Sequence, residues 1–323
     1  MGKVFITRTP PGRAVELLRG AGHEVEVWPE PLPPPADALA AKLARADGAF
    51  TTVVDRVTTA MLDGAPNLKI VANMAVGYDN IDPGEAAKRG LWVANTPGVL
   101  AETTADMAFA LLMGAARHVV ASDRDTRAGG WKTWSPTGFL GQDVFGATLG
   151  IVGLGEIGEA MVRRARGFDM RVLYASRTRK PEVEARLGCL FVELDELLPE
   201  SDFVSVHTPL NDDTRVLFGQ RQFKQMKRSA IFVNTARGGI VEHGALIAAL
   251  RAGEIAGAAL DVTDPEPLPL DSPLYGFPNV IITPHIASAS DATRSKMAEM
   301  AAVNIIEVLA GREPVNPVNR PSR

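Results

Sequence analysis

Cysteine is all but missing from this chain: 323 residues contain one, Cys189. A single thiol can neither close an intramolecular disulfide nor build a cysteine metal site, so the composition fits a reducing compartment, and Cys189 reads as a small core residue. No metal site is expected. No apolar run approaches the roughly 20 residues a helix needs to cross a bilayer. The N-terminus shows no signal-peptide pattern, and Ile6 stands where a myristoylation site requires Ser or Thr. The expectation is a soluble, cytoplasmic protein without membrane association. Basic excess is also lacking: 34 Lys and Arg stand against 38 Asp and Glu, a net charge of −4, which leaves no basic face for nucleic acid. Aromatic residues amount to 6%, and two of the four tryptophans fall within the aperiodic stretch Trp131-Lys132-Thr133-Trp134-Ser135-Pro136. Aromatics in such a loop suggest a contact surface, with packing against the chain's own core as the alternative.

What is present is enough apolar residue, 46% of the chain, to bury two ordinary cores, and the length suggests about two domains. The most informative stretch is Ile151-Val152-Gly153-Leu154-Gly155-Glu156-Ile157-Gly158. Residues 147–152 read as a buried strand, and Met161, Val162 and Ala165 follow at helical spacing. Strand, glycine turn and helix in that order form a dinucleotide cradle. Gly153 allows the turn, Gly155 lets a pyrophosphate approach the backbone, and Gly158 lets the helix lie close to the strand, with its N-terminus at Glu156 and Ile157 facing the anion.

An NAD-binding site of this kind places an acidic residue on the adenosine ribose about 20 residues beyond the glycines. None stands there. After a strand at 171–174 the chain offers Ser176-Arg177-Thr178-Arg179-Lys180, cations and hydroxyls that suit a 2′-phosphate, which a carboxylate would repel. NADP(H) is therefore the expected coenzyme, with NAD(H) as the lesser one.

Residues 1–98 alternate short strands, at 3–7, 23–28, 48–52, 68–73 and 91–95, with helical patterns near 12–20, 36–46, 57–63 and 83–89. That alternation predicts a parallel, doubly wound sheet. It carries no phosphate-binding glycine pattern. One long helix is expected from Glu102 to about Gly129, with Thr103 or Thr104 as its cap. Beyond the glycine turn, strands are expected at 203–207, 230–234, 257–262 and 280–283. A closing helix over 290–310, ended by Gly311, is expected to pack back on the first domain.

Ligands of doubly wound sheets bind at the carboxyl ends of the strands. Those ends carry His207-Thr208-Pro209, Thr235-Ala236-Arg237-Gly238-Gly239, Asp261 and Pro284-His285, with Glu266 shortly after Asp261. Arg237, Glu266 and His285 make a coherent set. A histidine titrates near neutrality, and a carboxylate on its other nitrogen favours the protonated ring, so the ring can donate a proton. An arginine fork holds a carboxylate and faces negative charge developing on a neighbouring carbonyl oxygen.

The glycine turn, Asn234 to Gly239, Asp261-Val262-Thr263-Asp264-Pro265-Glu266-Pro267 and Thr283-Pro284-His285, in this order over nearly the whole chain, resemble the D-isomer-specific 2-hydroxyacid dehydrogenases. Within that family the likeness is greatest to glyoxylate/hydroxypyruvate reductases, through Gly129 to Trp134 and the basic Ser176 to Arg179 segment. The resemblance implies a Rossmann coenzyme domain, residues 99–285, inserted into a flavodoxin-like substrate domain made of 1–98 and 286–323. It implies NADPH-dependent reduction of a small 2-oxo acid, glyoxylate or hydroxypyruvate, to glycolate or D-glycerate. Arg237, Glu266 and His285 would be catalytic. The backbone amides of Val76 and Gly77 would grip the substrate carboxylate, with Ser288 on the substrate side. Thr104, His207 and Thr235 would line the coenzyme, and Asp261 would bond the nicotinamide carboxamide. In such reductases the aromatic loop reaches the partner subunit, which implies a homodimer with Trp134 shaping the neighbour's pocket. Rivals on the same fold are a phosphoglycerate dehydrogenase, for whose added regulatory domain the stretch after His285 is expected to be too short, a formate dehydrogenase, which would carry glutamine where Glu266 stands, and a dinucleotide-sensing corepressor-like binding protein.

Overall fold

The computed structural model describes residues 1–321. The chain forms two compact α/β units, one of Met1–Leu100 with the chain from Ala289 on, the other of Ala101–Ser288.

The first unit is built on five parallel strands, β1 (Lys3–Ile6), β2 (Glu24–Val27), β3 (Gly48–Thr51), β4 (Ile70–Asn73) and β5 (Trp92–Ala94), in the order β2-β1-β3-β4-β5. Such an order is that of a flavodoxin-like sheet. Because side chains alternate along a strand, Phe5, Ala49 and Val71 enter one core with Leu39, Leu43, Met61 and Ala86. Val4, Ile6, Phe50, Ile70 and Ala72 enter the other with Ala14, Leu18, Ala298, Ala301 and Ile305. Both faces are therefore covered by helices, which is why the strands read as continuous apolar runs. Caps set several helix starts: Thr58 Oγ1 accepts from Met61 N at 3.4 Å, and Asp82 Oδ1 accepts from Glu85 N at 2.9 Å before Pro83 at the first helical position. The last helix, Asp291–Leu309, is capped by Ser290, packs against the helix Ala14–Gly20 and β4, and is followed by Gly311 at φ +80°.

The second unit carries seven parallel strands: β6 (Thr148–Val152), β7 (Arg171–Ala175), β8 (Leu190–Phe191), β9 (Phe203–Val206), β10 (Ile231–Asn234), β11 (Gly257–Leu260) and β12 (Val280–Ile282). Their order, β12-β11-β10-β9-β6-β7-β8, is the Rossmann order with one strand added, and its switch point lies between β6 and β9. Cys189 is 1% exposed within the core of this unit, and burial pushes its thiol above the usual range.

The helical stretch after Leu100 differs from its sequence pattern in two respects. It begins at Ala101, so Thr103 and Thr104 lie inside the first turns rather than capping them. It is also two helices, Ala101–Ala116 and Val119–Arg127, parted at His118, whose φ is +52°. The reason is a competing donor. The carbonyl of Ala116, which a continuing helix would bond four residues on, instead accepts from the amide of Gln142 at 2.8 Å. The apolar pattern runs on past the break although the second helix buries none of its residues, and periodicity carries no trace of a loop that returns from about 25 residues further along the chain.

Candidate active site

At the end of β6 each glycine of the turn has its own reason to lack a side chain. Gly153 has φ +97°, and a Cβ there would stand 2.7 Å from the amide nitrogen of Thr208, at the end of β9. A Cβ on Gly158 would stand 2.4 Å from the carbonyl oxygen of Gly153, so this glycine lets the helix Glu156–Arg166 sit down on the turn. A Cβ on Gly155 would meet nothing within 4 Å. Its absence therefore serves space that the protein itself does not fill. Gly155 is also the helix N-cap and brings no side-chain cap, leaving the amides from Glu156 onward to an outside acceptor.

Two buried polar atoms flank the turn without a partner among the described residues: His207 Nδ1 after β9 and Thr235 Oγ1 after β10. Buried polar atoms are seldom left so. His207 Nε2 lies 2.8 Å from Ser205 Oγ, and burial pushes the ring down to about 3, so it is neutral at working pH. An open cradle at a helix N-terminus with neutral hydrogen-bonding groups beside it fits a dinucleotide. Thr104 lies in the helix Ala101–Ala116 and is 4% exposed.

The basic loop after β7 is less uniform than its composition. Arg179 is engaged: its Nε and Nη2 reach both carboxylate oxygens of Glu184, at 3.0 and 2.9 Å. Glu184 also accepts from Tyr174 Oη at 2.7 Å, and the hydrogen bonds from Arg179 and Tyr174 hold its carboxyl below the usual range. Ser176 Oγ donates to the carbonyl of Thr178 at 2.7 Å and so shapes the turn. Arg177 is the more open one, its side chain 78% exposed and paired loosely with Asp213 at 3.9 Å.

The three chemical residues stand after β10, β11 and β12. Arg237 follows β10, where Asn234 accepts from the amide of Ala236 at 3.0 Å and donates to the carbonyl of Arg237 at 2.9 Å. A Cβ on Gly238 would overlap the backbone of Thr263 at 2.0 Å, so this glycine brings the Arg237 turn against the segment leading to Glu266. Glu266 Oε1 is 2.6 Å from His285 Nδ1. An ionised carboxylate only accepts, so Nδ1 carries the proton toward it and Nε2 is left for chemistry. The pair forms one wall of a cavity of about 370 Å³, with Leu268, Tyr275, Phe277 and Ile282 among its other walls.

His285 sits at φ +53°, uncommon for a residue with a side chain, and Asp261 holds it there. Asp261 is 1% exposed. Its Oδ1 accepts from Thr283 Oγ1 at 2.6 Å and from Ile286 N at 2.8 Å, and its Oδ2 from Ala287 N at 2.7 Å. Its backbone carbonyl accepts from the amide of His285 at 3.0 Å. Ser288 follows directly on this braced segment. This bracing is what sequence reasoning missed at Asp261, together with Ser205 as the partner of His207 and Glu184 as the partner of Arg179. The signals available were an acidic residue ending an apolar strand and a Glu five residues past Arg179 in the basic loop.

Val76 and Gly77 lie in the first unit, just past β4. Trp134 is 79% exposed and Trp131 71%, which settles the aromatic stretch as surface within this chain. Among the described residues no helix is long and apolar enough to cross a membrane.

Residues 109–287 match the family model of the D-isomer-specific 2-hydroxyacid dehydrogenase NAD-binding domain. The chain is 50% identical to a glyoxylate reductase of Korarchaeum cryptofilum, over 98% of this chain and 96% of that one. The crystal structure of the TT0316 protein from Thermus thermophilus superposes with a TM-score of 0.93 at 49% identity, covering 98% of this chain and 99% of that chain. An NADPH-dependent glyoxylate/hydroxypyruvate reductase from Sinorhizobium meliloti, in complex with NADP and malonate, superposes with a TM-score of 0.84 at 30% identity, covering 99% of this chain and 98% of that chain.

Proposed function

The chain belongs to the D-isomer-specific 2-hydroxyacid dehydrogenase family and is an NAD(P)-dependent oxidoreductase, and on that premise we propose that it reduces glyoxylate and hydroxypyruvate to glycolate and D-glycerate with NADPH. The observation that carries this reading is the Glu266–His285 pair at 2.6 Å, a proton donor built at the carboxyl end of a Rossmann sheet.

The residues divide the work. The amides of Val76 and Gly77 are assigned to the substrate carboxylate, and the guanidinium of Arg237 to carboxylate binding and to the carbonyl oxygen as charge grows on it. His285 Nε2 hands its proton to that oxygen, while Glu266, accepting from Nδ1, offsets the charge on the ring. The reduced nicotinamide, when bound, supplies the hydride. Gly155 with the amides of Glu156 and Ile157 cradles the pyrophosphate, and His207, Thr235 and Thr104 line the remainder. Asp261 serves the nicotinamide carboxamide as well as the His285 segment. Arg177, backed by Ser176 and Thr178, takes the 2′-phosphate. The Korarchaeum relative is a glyoxylate reductase by name, and the Sinorhizobium one an NADPH-dependent glyoxylate/hydroxypyruvate reductase. A homodimer is part of the reading. Trp131, Trp134, Leu140 and Phe145, each about seven-tenths or more exposed in one loop, would give a second copy an apolar surface to cover, and in this reading Trp134 shapes that copy's pocket. The action is intracellular, in the cytoplasm.

A steady-state panel of glyoxylate, hydroxypyruvate and bulkier 2-oxo acids, each with NADPH and with NADH and followed at the nicotinamide absorbance, tests the reading. Turnover of the two small acids with kcat/KM at least about tenfold higher for NADPH is expected. No turnover of any 2-oxo acid would sink it.

A further inference from the structure

We infer that Asn95 is a positioning residue for the substrate carboxylate, acting through the Val76–Gly77 peptide. The inference rests on the reading above, in which the amides of Val76 and Gly77 hold that carboxylate.

Three consecutive carbonyls after β4 are pinned from one side. Ala75 O accepts from the amide of Thr96 at 2.9 Å, Val76 O from Asn95 Nδ2 at 2.8 Å, and Gly77 O from Asn73 Nδ2 at 3.0 Å. These peptides are trans. In a planar trans peptide the carbonyl of one residue and the N–H of the next point in opposite directions. Pinning the three carbonyls therefore fixes the direction of the Val76, Gly77 and Tyr78 N–H groups, away from Asn73, Asn95 and Thr96. None of these three amides donates to a backbone acceptor among the described residues. Successive amides presented together make an anion-binding concavity, with Tyr78 N–H a third donor beside the two already assigned.

Of the side chains behind this cradle, Asn95 is the one whose single bond sets the central peptide. Asn73 is 0% exposed and has other duties: its Nδ2 also reaches Asn80 Oδ1 at 3.1 Å, and its Oδ1 accepts from Thr51 Oγ1 at 3.1 Å. Asn95 is itself braced through its backbone by the C-terminal segment. Its amide donates to Asn316 O at 3.3 Å, and its carbonyl accepts at 3.4 Å from Asn304 Nδ2. Asn304 is 0% exposed on the last helix, and its Oδ1 accepts from Asn316 N at 2.9 Å. The helix that closes the chain thus orients the end of β5, and β5 orients the Gly77 amide through one side-chain bond.

Asn95→Asp keeps the shape of the side chain but replaces the donor with an oxygen facing the Val76 carbonyl, which turns the peptide away. Asn95→Ala only releases it. Kinetics with glyoxylate and with glycolaldehyde, which has the same carbonyl group and no carboxylate, separate positioning from general damage. The expected result is a KM for glyoxylate raised about tenfold or more in the Asp variant and less in the Ala variant, the loss of roughly one good hydrogen bond. KM for NADPH and kcat/KM for glycolaldehyde stay within about twofold, too little to amount to half of one such bond. An unchanged KM for glyoxylate in either folded variant, or equal losses toward glyoxylate and glycolaldehyde, overturns the inference while the proposed function stands. A wild type that reduces no 2-oxo acid overturns both.

Discussion

Two loops at strand ends of the coenzyme unit are built in opposite ways. The segment bearing His285 is held by a carboxylate 1% exposed, Asp261, which takes two backbone amides and one hydroxyl and adds its own carbonyl. The segment from Ser176 to Lys180 is held mostly by side chains: one exposed turn bond, the Lys180 amide donating to Tyr174 Oη at 2.8 Å, and ion pairs of Arg179 with Glu184, Lys180 with Glu159 and Arg177 with Asp213. A proton donor must stand within a few tenths of an ångström of its target, and backbone-level bonds inside a low-dielectric site hold such a position. A phosphate grip works at longer range and in water, where a mobile guanidinium suffices. In the proposed reading, catalytic geometry is thus invested in backbone, and coenzyme choice in the exposed side chain of Arg177.

The comparison can be broken at its strongest point. His285→Gln should lower kcat by roughly 10²- to 10⁴-fold while leaving NADPH affinity nearly intact, because the lost proton transfer acts in the transition state. Near-normal turnover in single-turnover assays would remove His285 from the chemistry. One step back, Asp261→Asn puts a donor against the amide of Ala287 and should lower kcat by about 10- to 100-fold, the cost of a displaced catalytic group. The melting temperature should fall with it. If His285 were held by Glu266 alone, kcat of this variant would be unchanged.

The basic loop sharpens the contrast through a pair of variants. Arg177→Ala should reduce the NADPH to NADH ratio of kcat/KM by about tenfold, a charged hydrogen bond discounted for exposure. Arg179→Ala, whose fork already serves Glu184, should change that ratio by less than about threefold, well under one such bond. Equal effects of the two substitutions would show that the ion pair opens when coenzyme binds.

The last expected effect concerns stability. Burial pushes His207 down to about 3 from 6.5, so the unfolded chain binds this proton more readily than the folded one. Stability should therefore be full above about pH 6.5 and fall as the pH drops from there toward 3. His207→Gln should flatten that part of a melting-temperature profile, and an unaltered slope would mean that other groups govern acid unfolding.

Most strands and the glycine turn were legible because their signals are local: alternation of apolar runs with helical spacing, and glycines where backbone must turn or touch. The helix through Arg117 and His118 was not, since the amide that ends it comes from Gln142. Arg177 and Arg179 were indistinguishable in sequence, and only the placement of Glu184 under one of them separates their roles. Asp261 was read for its position at a strand end, yet its carboxylate bonds run to Thr283, Ile286 and Ala287, far along the chain and brought near only when β11 and β12 pair.

The amino-acid sequence by itself determined the two-sheet architecture, the dinucleotide cradle and the membership of Arg237, Glu266 and His285 in one set of strand ends, because each follows from residue type and spacing along the chain. Tertiary structure alone decided which arginine is tied to Glu184, which carboxylate braces the histidine, and that Asn95 and Asn73 turn the amides after β4 outward. Those outcomes depend on which hydrogen-bonding groups are left unpaired once the sheets close, and pairing is settled by distances in space that spacing along the chain does not encode.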